Sequence, residues 1–155
     1  MWPDTVNKVF YQYGREYPNN TARAFGSLWS YDTIYNTWNQ SAGPDAQSAI
    51  SWPAFGAGAT TDQGIGYYYG GYLSAKTISP WNGDPVMLKD MVSYNMTERT
   101  WSKRSYQATP RAEGTLQYIT AGERGMLVYF GGVEMVNGKK TYVCFAKPFK
   151  RIPMN

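Results

Sequence analysis

Few residues of this chain are of a type that carries catalysis or binds a metal. It contains no histidine, which removes the commonest general base and the commonest transition-metal ligand. Its one cysteine, Cys144, leaves no internal disulfide. Glu113 stands two residues from Arg111, the two flanking Ala112. On a strand they would share one face, since side chains alternate, and could pair with each other or with a neighbouring unit. A buried pair of that kind sets register more reliably than it adds stability. As a catalytic acid, Glu113 would need a partner acid or base, and the sequence places none beside it. The double glycines Gly70-Gly71 and Gly131-Gly132 are not followed by the Lys of a phosphate-cradling loop or by a helix, so they are read as turns that exploit positive φ. One stretch suits a ligand. Trp81-Asn82-Gly83-Asp84 sets an aromatic beside an amide and an acid, a combination that could hold a sugar or a peptide. The competing and preferred reading is an Asn-Gly turn with the indole folded over it.

Three glycosylation triplets begin at Asn19, Asn39 and Asn95; they are acceptors only in a secreted chain. The start, Met1-Trp2-Pro3-Asp4, has neither the basic nor the apolar run of a signal peptide, and no run approaches the 18 apolar residues of a spanning helix. The net charge is +4, and Lys139, Lys140, Lys147, Lys150 and Arg151 in the last segment leave −1 for residues 1–138 once subtracted. The expectation is a near-neutral body, 1–138, and a basic non-repeat tail, 139–155. Nucleic acid would want a basic stripe on a folded face, whereas charge gathered in a tail is read as a solvated end. No nucleic-acid partner is expected; the lower-ranked alternative is binding of nucleic acid or anionic membrane through this tail, where Tyr142, Phe145 and Phe149 interleave with Lys.

The elements that must position these residues are short strands. Aromatics make up 17% of the chain, charged residues only 17%, and Gly and Pro are abundant at 16 and 9; aromatic, turn-rich sequences favour strands over amphipathic helices. The strands also repeat. Leu28-Trp29-Ser30-Tyr31-Asp32 leads to Trp38, and Met91-Val92-Ser93-Tyr94-Asn95 leads to Trp101. Ile65–Gly71, ending in Gly-Gly, returns as Met126–Gly132, with a weaker copy at Lys8–Gly14 in which Arg15 replaces the second glycine. Pro53-Ala54-Phe55-Gly56 returns as Arg111-Ala112-Glu113-Gly114. Strands are expected near 8–13, 26–32, 37–41, 52–59, 65–70, 88–95, 100–105, 112–119 and 126–131, with a further one at 141–146. Residues 15–25, 42–50, 72–86 and 133–140 are expected as loops, and helix as minor. Four strands per period of roughly 60 residues is the pattern of a propeller blade.

A double glycine closing one strand, then a Tyr, then a Trp seven residues on, resembles the kelch family. Gly70-Gly71 with Tyr94 and Trp101 match that motif in full, Gly131-Gly132 gives half of the next copy and Tyr31 with Trp38 half of the previous one. The stretch from Pro110 through Val133 is more particularly similar to kelch-repeat proteins of fungal cell surfaces. The resemblance covers residues 4–138. It implies an all-β fold of four-stranded antiparallel blades, incomplete at about two and a half, in which Trp38 and Trp101 fill the wedge between blades and Arg111 and Glu113 belong to the motif. It implies a non-catalytic scaffold with an unidentified protein or glycan partner, no cofactor, and an extracellular or membrane-anchored setting. Galactose-oxidase-like propellers share the repeat, but their copper is held by His and Tyr, and this chain has no His. With fewer blades than the four to eight that close a propeller, the chain is expected to be a fragment or truncated product, and its exposed blade edges to self-associate.

Overall fold

The computed structural model describes residues 1–18, 26–41, 43–44, 49–105, 109–123 and 125–143. The described residues are strands and turns, with no α-helix. Four strands, β1 (Trp2–Asp4), β2 (Val9–Gln12), β3 (Leu28–Asp32) and β4 (Thr37–Ser41), form an antiparallel sheet in that order. A second such sheet joins β5 (Ala57–Thr60) and β6 (Ile65–Tyr69) to β9 (Asp90–Asn95) and β10 (Thr100–Ser105), with a small ribbon of β7 (Tyr72–Leu73) and β8 (Val86–Met87) in between. The third unit has β11 (Arg111–Ala112), the pair β12 (Thr115–Ile119) and β13 (Met126–Phe130), and then β14 (Val133–Val136) with β15 (Lys139–Tyr142). Two complete sheets and half of a third match the expected two and a half.

The units repeat in register as well as in order. Tyr11 lies opposite Trp2 and Ser30, and Tyr67 opposite Ala59 and Ser93. Tyr31 lies opposite Trp38, and Tyr94 opposite Trp101. The hairpins before those tryptophans are built alike. Asp32 accepts hydrogen bonds from the amides of Ile34 and Tyr35, and Asn95 from those of Thr97 and Glu98. Asn36 and Arg99 then take the left-handed φ, 53° and 57°, that closes each turn. β1 lies against β5, and β5 against β12, so the first strands of the three units sit side by side and the sheets fan out from them.

Sheets stacked on both faces must be apolar on both, and the middle unit is. Tyr68, Val92 and Tyr94 pack with Trp2, Tyr13 and Leu28 of the first unit, while Tyr69, Met91 and Ala57 pack with Leu116, Leu127 and Tyr129 of the third. The two joints conserve volume by opposite choices. In the first, Trp2 lies flat over Gly66, where a Cβ would come within 2.5 Å of the indole. In the second, Ala59 holds the place of Trp2, and Leu127 that of Gly66, in one cluster.

The strand map departs from expectation in places. The segment 133–140, expected as a loop, is a hairpin closed by Asn137-Gly138, both at positive φ. The sheet runs on through Lys139–Tyr142, past the boundary expected at 138. β15 stands where β8 stands in the second unit, because the Val143 amide donates to Gly132 O at 2.9 Å as the Leu88 amide donates to Gly71 O at 2.8 Å. β1, β7 and β8 were not expected as strands. Residues 144–155, with Cys144 and the remaining tail cations, lie outside the described residues, as does Asn19.

Candidate functional site

The joint between the second and third units is built from the repeat residues. Gly70 and Gly71 have φ of +70° and +91°, and Gly131 and Gly132 of +62° and +78°, a region costly for any residue with a Cβ. Space is decisive too. A Cβ on Gly71 would lie 2.5 Å from Ala54 O, and one on Gly132 would collide with Ala112 O. The Gly71 amide donates to Arg111 O at 2.9 Å, the Arg111 amide to Leu88 O at 3.2 Å and the Glu113 amide to Phe55 O at 2.7 Å. The third unit is thus laced to the second through its main chain. Arg15 is not among the residues at positive φ, so its replacement of a glycine carries no backbone strain.

Tyrosine hydroxyls lock each Ala-x-Gly segment. The Gly56 amide donates to Tyr68 Oη at 2.8 Å, and the Gly114 amide to Tyr129 Oη at 3.0 Å. Phe55 and Glu113, just before those glycines, are both left-handed at +58° and +60°. Burial pushes the Tyr68 and Tyr129 hydroxyls up to about 12, and burial with the nearby Tyr68 raises Tyr13 well above the ordinary range. Tyr13 donates to Ser51 O, and Tyr69 to Thr109 O at 3.5 Å, so each unit holds the segment leading into the next.

The left-handed φ at Glu113 breaks the strand alternation on which an Arg111–Glu113 pair depended. Arg111 instead pairs with Glu134, on the partner strand, at 3.2 Å, both largely buried. Glu113 accepts a hydrogen bond from Tyr72 Oη at 3.0 Å, and Lys140 Nζ lies 4.5 Å from the centre of the Tyr72 ring. A hydrogen bond to Tyr72 raises the Lys140 ammonium, and burial raises the Tyr72 hydroxyl. Sequence reasoning missed Glu134 and Lys140; the repeat offset between Leu88 and Val143 was the signal that could have placed Lys140.

Tyr94 and Trp101 are 4.6 Å apart and pack under Trp2 and Tyr13 in the first joint. Tyr31 and Trp38 repeat that pair at 5.1 Å, with Phe10 5.1 and 5.6 Å from them. They lie on the outer face of the first unit, where Trp38 is 51% exposed. The expected wedge role of Trp38 therefore has no facing unit among the described residues. Tyr31 Oη donates to Asn36. Trp81 Nε1 donates to Gly83 O at 3.2 Å, and Asn82 and Asp84 are exposed beside it. Asn39 is exposed on the edge strand β4, and Asn95 is engaged in its turn. Among the described residues, no three Cys, Asp or Glu stand close enough to hold a metal ion, and no helix is long and apolar enough to cross a membrane.

The chain is similar to a known protein. A kelch repeat-containing protein of Arthroderma benhamiae is 28% identical over 148 residues, an alignment covering 84% of this chain and 22% of that protein. The chain is consistent with the kelch-repeat family. No family model matches the chain. The chain spans about a fifth of the length of that relative. In kelch terms, β1–β4 and β5, β6, β9, β10 are two whole blades, and β12–β13 with its flanking ribbon opens a third.

Proposed function

We propose that this chain is a non-catalytic interaction scaffold, a piece of a larger kelch propeller whose partner is a protein or a glycan. One observation carries the reading. Motif residues of the second and third units are taken up in holding blade to blade: Gly71 and Arg111 in the main-chain lacing, Gly70 by leaving room for Arg111 O, Tyr94 and Trp101 in the first aromatic core, Glu113 on Tyr72. What remains exposed is contact surface, including Ile34, Tyr35, Trp38, Phe55, Phe130 and Tyr142. Exposed apolar groups gathered on faces mark interaction sites. The relative's printed description, kelch repeat-containing, names a repeat and no reaction, which supports the same reading.

The outer faces of the first and third blades support self-association, or contact with further blades, as the secondary role. A cell-surface setting follows from the family resemblance, and Asn39, exposed on β4, is the acceptor best placed to carry a glycan there. No observation favours the copper-oxidase reading. The charge of Lys140 is engaged with Tyr72 rather than free to face a nucleic acid.

The test is binding with recovery. The chain is immobilised and probed with a glycan array and a displayed peptide library, and each captured ligand is analysed by mass spectrometry. Saturable capture of ligands recovered unaltered supports the scaffold; a ligand recovered chemically changed overturns it.

A further inference from the structure

The second blade carries a groove that the chain itself fills. Arg111-Ala112-Glu113-Gly114 lies in it, held by the three main-chain bonds from Gly71 to Arg111, Arg111 to Leu88 and Glu113 to Phe55. The side chain between them is small for a reason. Ala112 is fully buried among Tyr72, Met87 and Val133. Gly70 is glycine because Arg111 O occupies the space its Cβ would take.

The third blade presents the same groove with no such segment among the described residues. Gly132 stands for Gly71 and Val143 for Leu88, as their matching bonds establish. Glu113 stands for Phe55, both left-handed and each followed by a glycine whose amide meets a tyrosine hydroxyl. The result is an open groove of about 520 Å³ lined by these residues together with Gly131, Phe130 and Tyr142. The Gly132 amide and the Val143 and Glu113 carbonyls, the counterparts of the three groups that grip Arg111–Gly114, have no bonded partner of that kind among the described residues. The apolar positions agree. Tyr69 is 1% exposed in the filled joint, while its counterpart Phe130 is 41% exposed. Met87 is buried, while its counterpart Tyr142 is 82% exposed. A Cβ built on Gly131 meets nothing nearer than Val143 O at 3.9 Å, so the space taken by an incoming carbonyl at Gly70 is open here.

We propose that this groove is a binding site for an extended peptide segment of the pattern x-Ala-x-Gly. The Gly132 amide donates to the carbonyl of the first residue, whose own amide donates to Val143 O. The amide of the third residue donates to Glu113 O. The methyl of the second enters between Val133 and Tyr142, where a larger side chain is refused as it is around Ala112. Main-chain bonds supply affinity and the small-residue pocket supplies selectivity, as in other cases of strand addition. The inference rests on the scaffold reading and gives that scaffold a ligand class.

The experiment titrates a synthetic peptide of residues 109–116, the segment that fills the equivalent groove on the second blade, into the whole chain labelled with nitrogen-15. Saturable shifts centred on Gly132 and Val143 are expected. Gly131→Ala should weaken binding at least tenfold, because its Cβ takes the carbonyl's place. Gly138→Ala, at a φ of +73° with nothing within 4 Å, matches it in strain and should leave binding unchanged. Peptides with Val for the Ala, or N-methylated at the Arg, should also lose at least tenfold, whatever the protein variants do to folding. Absence of saturable binding, shifts centred on Gly71, or equal affinity for the N-methylated peptide would overturn the proposal. The scaffold reading falls only on a chemically altered ligand, so the two failures are distinguishable.

Discussion

The exchange of large for small residues between the two blade joints can be tested by rewriting one joint as the other. Trp2 is fully buried, stacks on Tyr13 at 5.1 Å and donates its indole N–H to Tyr67 O at 2.8 Å. Trp2→Ala removes the ring together with its hydrogen bond to Tyr67 O. Aromatic-to-alanine changes in cores cost about 3–5 kcal/mol, a large share of the roughly 5–15 kcal/mol that holds a domain together. Gly66→Leu alone forces a side chain into the Trp2 ring and should cost about 1–3 kcal/mol or more. Together, Trp2→Ala and Gly66→Leu recreate the Ala59 and Leu127 combination of the second joint. The double variant should therefore be more stable than Trp2→Ala alone, with a favourable coupling on the order of 2–3 kcal/mol. Urea unfolding followed by fluorescence and circular dichroism reads this directly, provided m stays constant. Additive losses, within about 0.5 kcal/mol, would refute the claim that these two positions fill one space.

Other outcomes follow from the same geometry. Gly71→Ala should lower Tm far more than Gly83→Ala, since both have positive φ but only the first has a carbonyl 2.5 Å from its Cβ; equal losses in a thermal melt would contradict this. Glu134→Gln should cost about 1–3 kcal/mol by removing the charge that Arg111 pairs with, while Arg111→Met with Glu134→Met should cost less; a double variant less stable than the single one would count against the pairing. At high pH, Tyr68 with a folded-state value of about 12 holds its proton more tightly than the unfolded chain, whose tyrosines titrate near 10. Its contribution is full below pH 10 and falls by about 2 kcal/mol as pH rises to 12, with Tyr129 acting in the same direction. A pH series of urea melts should show that decline, and Tyr68→Phe should flatten it; an unchanged slope would exclude Tyr68 as its source. Trp38→Ala on the exposed outer face should reduce any concentration-dependent sedimentation of the chain while shifting Tm little, and unchanged association would remove that face from the self-contact.

The strands that sequence reveals are those whose aromatic and glycine positions repeat: β2, β3, β4, β6, β9, β10 and β13 fall where the repeats lie. Short strands carry no such pattern. Three residues that include Pro3 gave β1 no periodicity, although Trp2 is the most consequential residue of the first joint. β7 and β14 follow the double glycines that mark a turn, and two to four residues of pairing leave little trace in composition. Lys139–Tyr142 looks like a solvated tail because all four side chains face solvent, yet its main chain pairs with β14. Charge describes the side of a strand that meets water and says nothing of its hydrogen bonds. The site residues divide in the same way. Gly70, Gly71, Gly131 and Gly132 were legible as turns, because positive φ is a local demand. The partner of Arg111 was not, because it rests on Glu113 turning out of the strand and on a strand 23 residues away. The exposure of Trp38 follows from what faces its blade, which no local pattern records.

The arrangement of repeated blades joined by equivalent contacts is tested most directly at the first joint. In a proton NMR spectrum of the whole chain, Gly66 Hα should be shifted upfield by the Trp2 ring above it and should show cross-peaks to the indole, while the Gly71 amide exchanges slowly because it bonds to Arg111 O. An unshifted Gly66 with Trp2 contacts confined to residues near it in sequence, and a fast-exchanging Gly71, would contradict it.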